Sequence, residues 1–194
     1  MDCEKLYADI IKEVDECRAC PLGATRKNSV PGEGNIKSPL MFIGEGPGAD
    51  EDDQGRPFVG RAGQLLTKIL ESVNISRGEV YITNVVKCRP PNNRVPQAQE
   101  AEACKRHLFK QIELIKPRLI GALGSTASKF LLGEDIGAIS KIRGNWYDFK
   151  DGIKLMPLFH PSYLLRNPSK EIGSPKYQMW CDMKKLKEAY EALK

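Results

Sequence analysis

Apolar residues along the chain follow two rhythms. Over residues 2–16, Leu6, Ile10, Ile11 and Val14 recur at helical spacing. Four short runs are instead continuously apolar: PLMFIGE (39–45), VYITNVV (80–86), RLIGALG (118–124) and IKLMPLFH (153–160). Such runs predict strands buried on both faces. Helical patterns fall between them: near 61–74, with Leu65, Leu66, Ile69 and Leu70 on one face, then 97–115, the short STASKFLLG, and 176–192. WYDF (146–149) is expected to pair with the fourth strand across the turn at Asp151-Gly152. This alternation predicts an α/β fold, a three-layer α/β/α sandwich around a central four-stranded, mainly parallel sheet. Ligands of such sheets bind outside the carboxyl ends of the strands. Those ends carry Gly44-Glu45-Gly46, Thr83-Asn84, Gly124-Ser125 and His160-Pro161-Ser162, so the active site is expected on that rim.

Composition narrows the class without naming a chemistry. The 194 residues, 41% hydrophobic and 28% charged, fit one soluble domain spanning 1–194. No stretch approaches the ~18 apolar residues of a membrane span. The first residues, MDCEKLYADIIKEVDEC, are acidic and amphipathic, unlike a signal peptide, which leads us to expect a cytoplasmic protein. A net charge of +5 is compatible with a nucleic-acid partner but does not require one. Lys141, Arg143, Arg166, Lys170, Lys176 and the run KKLKEAYEALK fall late in the chain, although much of that run reads as the solvated face of a helix.

Six cysteines occur, and in the cytoplasm they are not expected to form disulfides. Cys17-x-x-Cys20 puts two thiols in one turn, while Cys88 and Cys104 flank the proline-rich loop CRPPNNRVPQ. Together they suit an all-thiolate site for zinc or for an iron–sulfur cluster, between which spacing does not decide. A redox dithiol is the competing reading, but a redox CxxC opens a helix after a strand, whereas this one ends a helix and meets Pro21. Cys3 and Cys181 read as spectators.

The segment after the first strand, Gly44-Glu-Gly46-Pro-Gly48-Ala49, satisfies the dinucleotide-binding fingerprint to the letter. A pyrophosphate needs a helix N-terminus directly after the glycines, yet Pro47 and the acids Asp50, Glu51, Asp52 and Asp53 intervene, and the next helix is expected only near Arg61. Four negative charges repel a phosphate. The glycines more plausibly admit something flat and neutral, with one acid holding water. Of the two histidines, His107 lies in a charged helical stretch with a surface or packing role, whereas His160 ends an apolar strand on the ligand rim.

With these residues in view, the chain resembles the type-4 uracil-DNA glycosylases of the uracil-DNA glycosylase superfamily. GEGPGADEDDQGRPFVGRAGQLL resembles the first active-site motif of that family, HPSYLLR the second and TNVVKCRPPNNR the segment between them. The resemblance implies hydrolysis of the N-glycosidic bond between uracil and deoxyribose in DNA, the opening step of base excision repair. It assigns a [4Fe-4S] cluster to Cys17, Cys20, Cys88 and Cys104. Phe58 would stack on uracil, and Asn84 would read its N3–H and O4. His160 would donate to O2, and Glu51, with Asp50 as runner-up, would handle the attacking water. Glu45 and Gly46 would line the pocket through backbone groups, Asn93 would reach it from the PPNNR loop, and Ser162 would grip phosphate. Leu164 or Leu165 would wedge into the duplex while Arg166 contacts phosphate or the opposite strand, against the competing reading that both leucines begin a helix and belong to the core. Uracil-containing DNA is the implied partner, a monomer is expected, and a sliding clamp is a candidate protein partner.

Two other readings compete. A non-catalytic iron–sulfur or zinc module within a repair or replication assembly would use the cysteines but not Asn84, Glu51 and His160 together. A superfamily relative that binds uracil covalently would carry a histidine in an inserted basic loop. Here PPNNR is short and has Asn instead, which favours turnover.

Overall fold

The computed structural model describes residues 3–193; the first residue of the expected N-terminal helix lies outside them. Six strands form one sheet in the order β1-β3-β2-β4-β6-β5. Its centre is the four expected strands, β2 (Leu40–Gly44), β3 (Tyr81–Asn84), β4 (Leu119–Leu123) and β6 (Lys154–Leu158), all mutually parallel. The sheet therefore has six strands, not four. Short antiparallel strands finish both edges, β1 (Glu33–Gly34) on β3 and β5 (Tyr147–Asp148) on β6. Only β5 is visible in the hydrophobic pattern, as the expected pairing of WYDF. A two-residue strand such as β1 has no period to detect.

Side chains of the parallel strands alternate between two cores. Leu40, Phe42, Ile82, Leu119, Met156 and Leu158 face one cluster with α4 (Arg61–Ser72), α8 (Pro161–Arg166) and α9 (Pro175–Glu191). Met41, Ile43, Tyr81, Ile120 and Leu155 face the other with α5 (Ala98–Ile115) and α6 (Ser125–Leu132). This is the expected three-layer sandwich. The remaining helices are α1 (Cys3–Glu16), whose Glu13 pairs with Lys110 of α5 at 2.6 Å, α2 (Leu22–Thr25), α3 (Ala49–Gln54) and α7 (Ile139–Ile142). Among the described residues no helix is long and apolar enough to cross a membrane.

The acidic run is the main local departure from expectation. Residues 50–53 do not form an extended loop but lie within α3, a six-residue helix capped by Gly48. Asp50, Glu51 and Asp52 occupy its first turn, where negative charge complements the helix dipole. Asp52 also accepts the N–H groups of Lys27 (2.9 Å) and Asn28 (3.3 Å), and Asp53 pairs with the Lys27 ammonium. Two of the four charges that exclude a phosphate are thus used to tie this segment to residues 27–28.

Candidate active site

A cavity of about 410 Å³ opens at the carboxyl ends of the strands, within the usual range for small-ligand sites. Nine residues expected at the site border it: Glu45, Gly46, Glu51, Phe58, Asn84, Asn93, His160, Ser162 and Arg166. Asp50 does not border it and is exposed.

Asn84 ends β3 and is 1% exposed, yet its Oδ1 has no hydrogen-bond partner. An orphaned buried acceptor costs about 1–3 kcal/mol unless a ligand supplies the donor. Gly44, at the end of β2, makes the arrangement possible. A Cβ there would sit 2.5 Å from both Asn84 Oδ1 and Phe58 Cζ. Phe58 adopts φ 50°, a left-handed conformation sparsely populated by aromatic residues. Its backbone presses against Gly63 in α4, where a Cβ would come within 1.9 Å of the Phe58 carbonyl carbon and oxygen. The ring is buried in the cavity wall, 5.9 Å from the His160 ring and tilted 37° to it.

His160 is the N-cap of α8, with Pro161 at the first helical position. Its Nδ1 accepts the Ser162 N–H at 3.1 Å and lies 2.8 Å from Ser162 Oγ. The proton of the neutral ring therefore sits on Nε2. Burial, reinforced by the nearby Arg166 cation, pulls its pKa down to about 4, so the imidazole is neutral near pH 7. Ser162 thus orients the histidine, a role the sequence pattern did not suggest.

The two cavity acids differ. Glu51 Oε2 accepts the Gly48 N–H (3.1 Å), and Oε1 accepts those of Val59 and Gly60 (both 2.9 Å). Three of its four lone-pair sites are committed to the loop around Phe58, which leaves one for a water. Glu45 accepts one bond, from Thr126, and its other carboxylate oxygen has no partner among the described residues. Its backbone carbonyl accepts the Val86 N–H at 3.2 Å.

At the mouth, Asn93 accepts from Arg89 at 2.7 Å, and Arg94 lines the wall while pairing with Glu100 at 2.6 Å. Leu164 corrects the sequence reading. It is 1% exposed and part of the core beneath α8, so it cannot enter a duplex. The helical turn sends it inward and leaves Leu165 half-buried. Neither leucine borders the cavity.

Cys17, Cys20, Cys88 and Cys104 border a separate, small cleft. Arg26 donates to Cys88 Sγ (2.9 Å), Arg106 to Cys17 Sγ (3.4 Å) and the Lys87 N–H to Cys104 Sγ (3.3 Å). Burial pushes the Cys104 thiol up to about 11 and also raises Cys88, against the pull of Lys87 and Arg26 respectively. Burial would raise Cys17 too, but the Ala19 N–H and Arg106 outweigh it and lower its pKa. His107 is buried on the same cleft with both ring nitrogens unpartnered, and burial, aided by Arg106, holds it down to about 4. Four sulfurs, surrounding cations and an orphaned imidazole N–H suit a group rich in sulfur and negative charge. No group of three or more His, Cys, Asp or Glu among the described residues converges closely enough for a single metal ion.

Comparison with known proteins agrees with this geometry. A family model for the uracil DNA glycosylase superfamily matches residues 31–184. The type-4 uracil-DNA glycosylase of Thermotoga maritima is 53% identical over 169 residues, covering 87% of this chain and 88% of the relative. That of Pyrobaculum aerophilum is 47% identical over 175 residues, 87% of each chain. A type-5 uracil-DNA glycosylase of the same organism is more distant, at 28% over 189 residues, 81% of this chain and 83% of the relative. With an open acceptor at the end of β3, an oriented neutral histidine at the end of β6 and these relatives, the chain belongs to the uracil DNA glycosylase superfamily and, within it, to the type-4 uracil-DNA glycosylases.

Proposed function

We propose that this protein removes uracil from DNA by hydrolysing its N-glycosidic bond, leaving free uracil and an abasic site. The observation that carries the reading is the orphaned Oδ1 of Asn84 at the floor of a cavity walled by Phe58 and His160. Uracil supplies what that acceptor lacks, an N3–H, while the Asn84 amide N–H reaches O4. Cytosine offers an acceptor at N3 and an amino group at C4, so both bonds fail. A base inside a duplex cannot meet Asn84, and the nucleotide must therefore swing out of the stack.

Phe58 stacks on the extruded ring. As the glycosidic bond lengthens, negative charge gathers on uracil O2 and positive charge on the sugar. The His160 Nε2–H donates to O2 with its other nitrogen held by Ser162, a preorganised donor that need not reorient during the reaction. Glu45, with one uncommitted carboxylate oxygen, orients the water that attacks the sugar. Glu51 fixes the loop that carries Phe58, and Arg166 and Asn93 meet the DNA at the mouth. Leu165 is the residue left on α8 to press into the gap in the stack.

Cys17, Cys20, Cys88 and Cys104 hold a [4Fe-4S] cluster in this reading. The cleft's donors fit it, because Arg26, Arg106 and the Lys87 N–H all point at sulfur. When bound, the cluster contributes a structural cross-link between the segment after α1 and the loop entering α5, and hydrolysis needs no electron from it. The whole chain acts as one cytoplasmic domain, working as a monomer.

The test is direct. Purified brown protein is incubated with an oligonucleotide carrying one uracil, and free base is measured alongside alkali-sensitive abasic sites. Release of uracil, with none of cytosine from the matched oligonucleotide, is expected. Absence of release from cluster-loaded protein would favour a non-catalytic DNA-binding module instead.

A further inference from the structure

Lys87 is 1% exposed, an unusual position for a lysine. Its Nζ lies 2.5 Å from Thr83 Oγ1, 2.8 Å from the Asn84 carbonyl oxygen and 2.7 Å from Gln111 Oε1. An ammonium has three N–H donors and no lone pair, and here every donor has an acceptor. The acceptors are themselves fixed. Thr83 Oγ1 and Gln111 Nε2 both donate to the Pro31 carbonyl, at 2.7 and 2.8 Å, and Gln111 Nε2 also lies 3.1 Å from Tyr81 OH.

None of the three partners is a carboxylate. A lysine buried among neutral acceptors is costly, and Met or Leu would fill the same volume without that cost. Burial pulls its pKa down to about 7, while the three acceptors favour the charged form, whose hydrogen bonds are about twice as strong as the neutral kind. One of those bonds is directed at the main chain of the residue that reads the base. Its own backbone N–H meets Cys104 Sγ at 3.3 Å. One residue therefore joins the uracil-reading end of β3 to a cysteine of the cleft.

We propose that Lys87 is the positioning residue for base discrimination: its ammonium holds the Thr83 hydroxyl and the Asn84 carbonyl, and so sets where Asn84 presents its amide. The proposal rests on the uracil-reading role of Asn84 given above. Two-point recognition tolerates little displacement, so loosening the strand end weakens uracil binding without touching the DNA-contacting rim.

The experiment separates those two kinds of binding. Inhibition by free uracil reports on Asn84, whereas affinity for abasic-site duplex reports on the rim alone. Lys87→Met should raise the inhibition constant of uracil about tenfold, the loss of roughly one buried charged hydrogen bond, and leave affinity for abasic duplex within about twofold. Thr83→Val keeps the lysine, removes one of its acceptors and should raise the uracil constant by about threefold. It also decides the matter if Lys87→Met does not fold. An unchanged uracil constant in the folded variants overturns the proposal, as does a parallel loss of uracil and abasic-duplex binding. Wild-type protein that neither releases nor binds uracil would instead overturn the reading of Asn84.

Discussion

The cavity and the cysteine cleft are built on the same stretch of chain, since Asn84 and Cys88 are four residues apart, yet they are finished in opposite ways. The cavity is open, and its key acceptor has no partner. The cleft is far smaller, about 10 Å³, and most of its sulfurs already receive an N–H. The two histidines repeat the contrast. Burial holds both near 4, but His160 is oriented by Ser162 while His107 faces the cleft with neither ring nitrogen bonded. Low basicity alone does not mark a catalytic group. The rotational lock on one nitrogen, with the other left to face a cavity, is what distinguishes His160.

The contrast is broken most severely on the cavity side. Asn84→Ala and His160→Ala should each lower the rate of uracil release about 10²–10³-fold with melting temperature little changed, measured by single-turnover kinetics and circular dichroism. Near-wild-type release by either would remove it from the reaction. The two acids sharpen the picture within the cavity. Glu45→Gln should lower the rate about 10²-fold at unchanged stability. Glu51→Gln should instead lower melting temperature, because it weakens bonds to three backbone N–H groups, and should slow release only about tenfold. The reverse pattern would return the water to Glu51.

On the cleft side the readout is stability. Cys104→Ser should abolish the brown colour and lower the melting temperature by about 10 °C, while residual protein that remains folded still discriminates uracil from cytosine. The smallest effect is on pH. His160 titrates near 4 when folded, against an ordinary 6.5. The unfolded chain therefore takes up the proton first as pH falls, and stability drops as pH is lowered from 6.5 toward 4. Thermal melts across that window should show the decline, and His160→Asn should flatten part of it. Uracil release by the neutral ring should not vary through His160 above about pH 6.

Most of the architecture was legible because long apolar strands and helical stripes carry strong periods. The central strands and α4, α5 and α9 match their expected places to within a few residues. Short elements carried no such signal. β1 is too brief, and α3 hides in a run of acids that looks like a solvated loop. At the site, Asn84 and His160 stood out because a polar group at the end of an apolar strand has few structural reasons to be there, whereas Phe58, in the loop between α3 and α4, was reached only through the motif it belongs to. Contacts did not announce themselves. That Leu164 turns inward, that Glu51 is mostly bonded to its own loop, and that Lys87 is buried under Asn84 all depend on which side of a turn a side chain leaves the backbone. The only trace of Lys87 in the sequence is a charged residue directly after the apolar run VYITNVV.

Gly44 gives the cavity a property that reaches past catalysis. The Asn84 amide and the Phe58 ring, which in the proposed reading recognise the base and stack on it, both crowd the place of one missing carbon, each with an atom 2.5 Å from where a Cβ would lie. Neither can be retuned by growth at that position without evicting the other, so a single methyl group blinds the pocket to every base at once while the rim that meets DNA stays as it was. Gly44→Ala would then be a protein that still scans DNA but never stops to test a base, a means of separating search from inspection. The same coupling closes off gradual drift toward larger bases by way of this strand end.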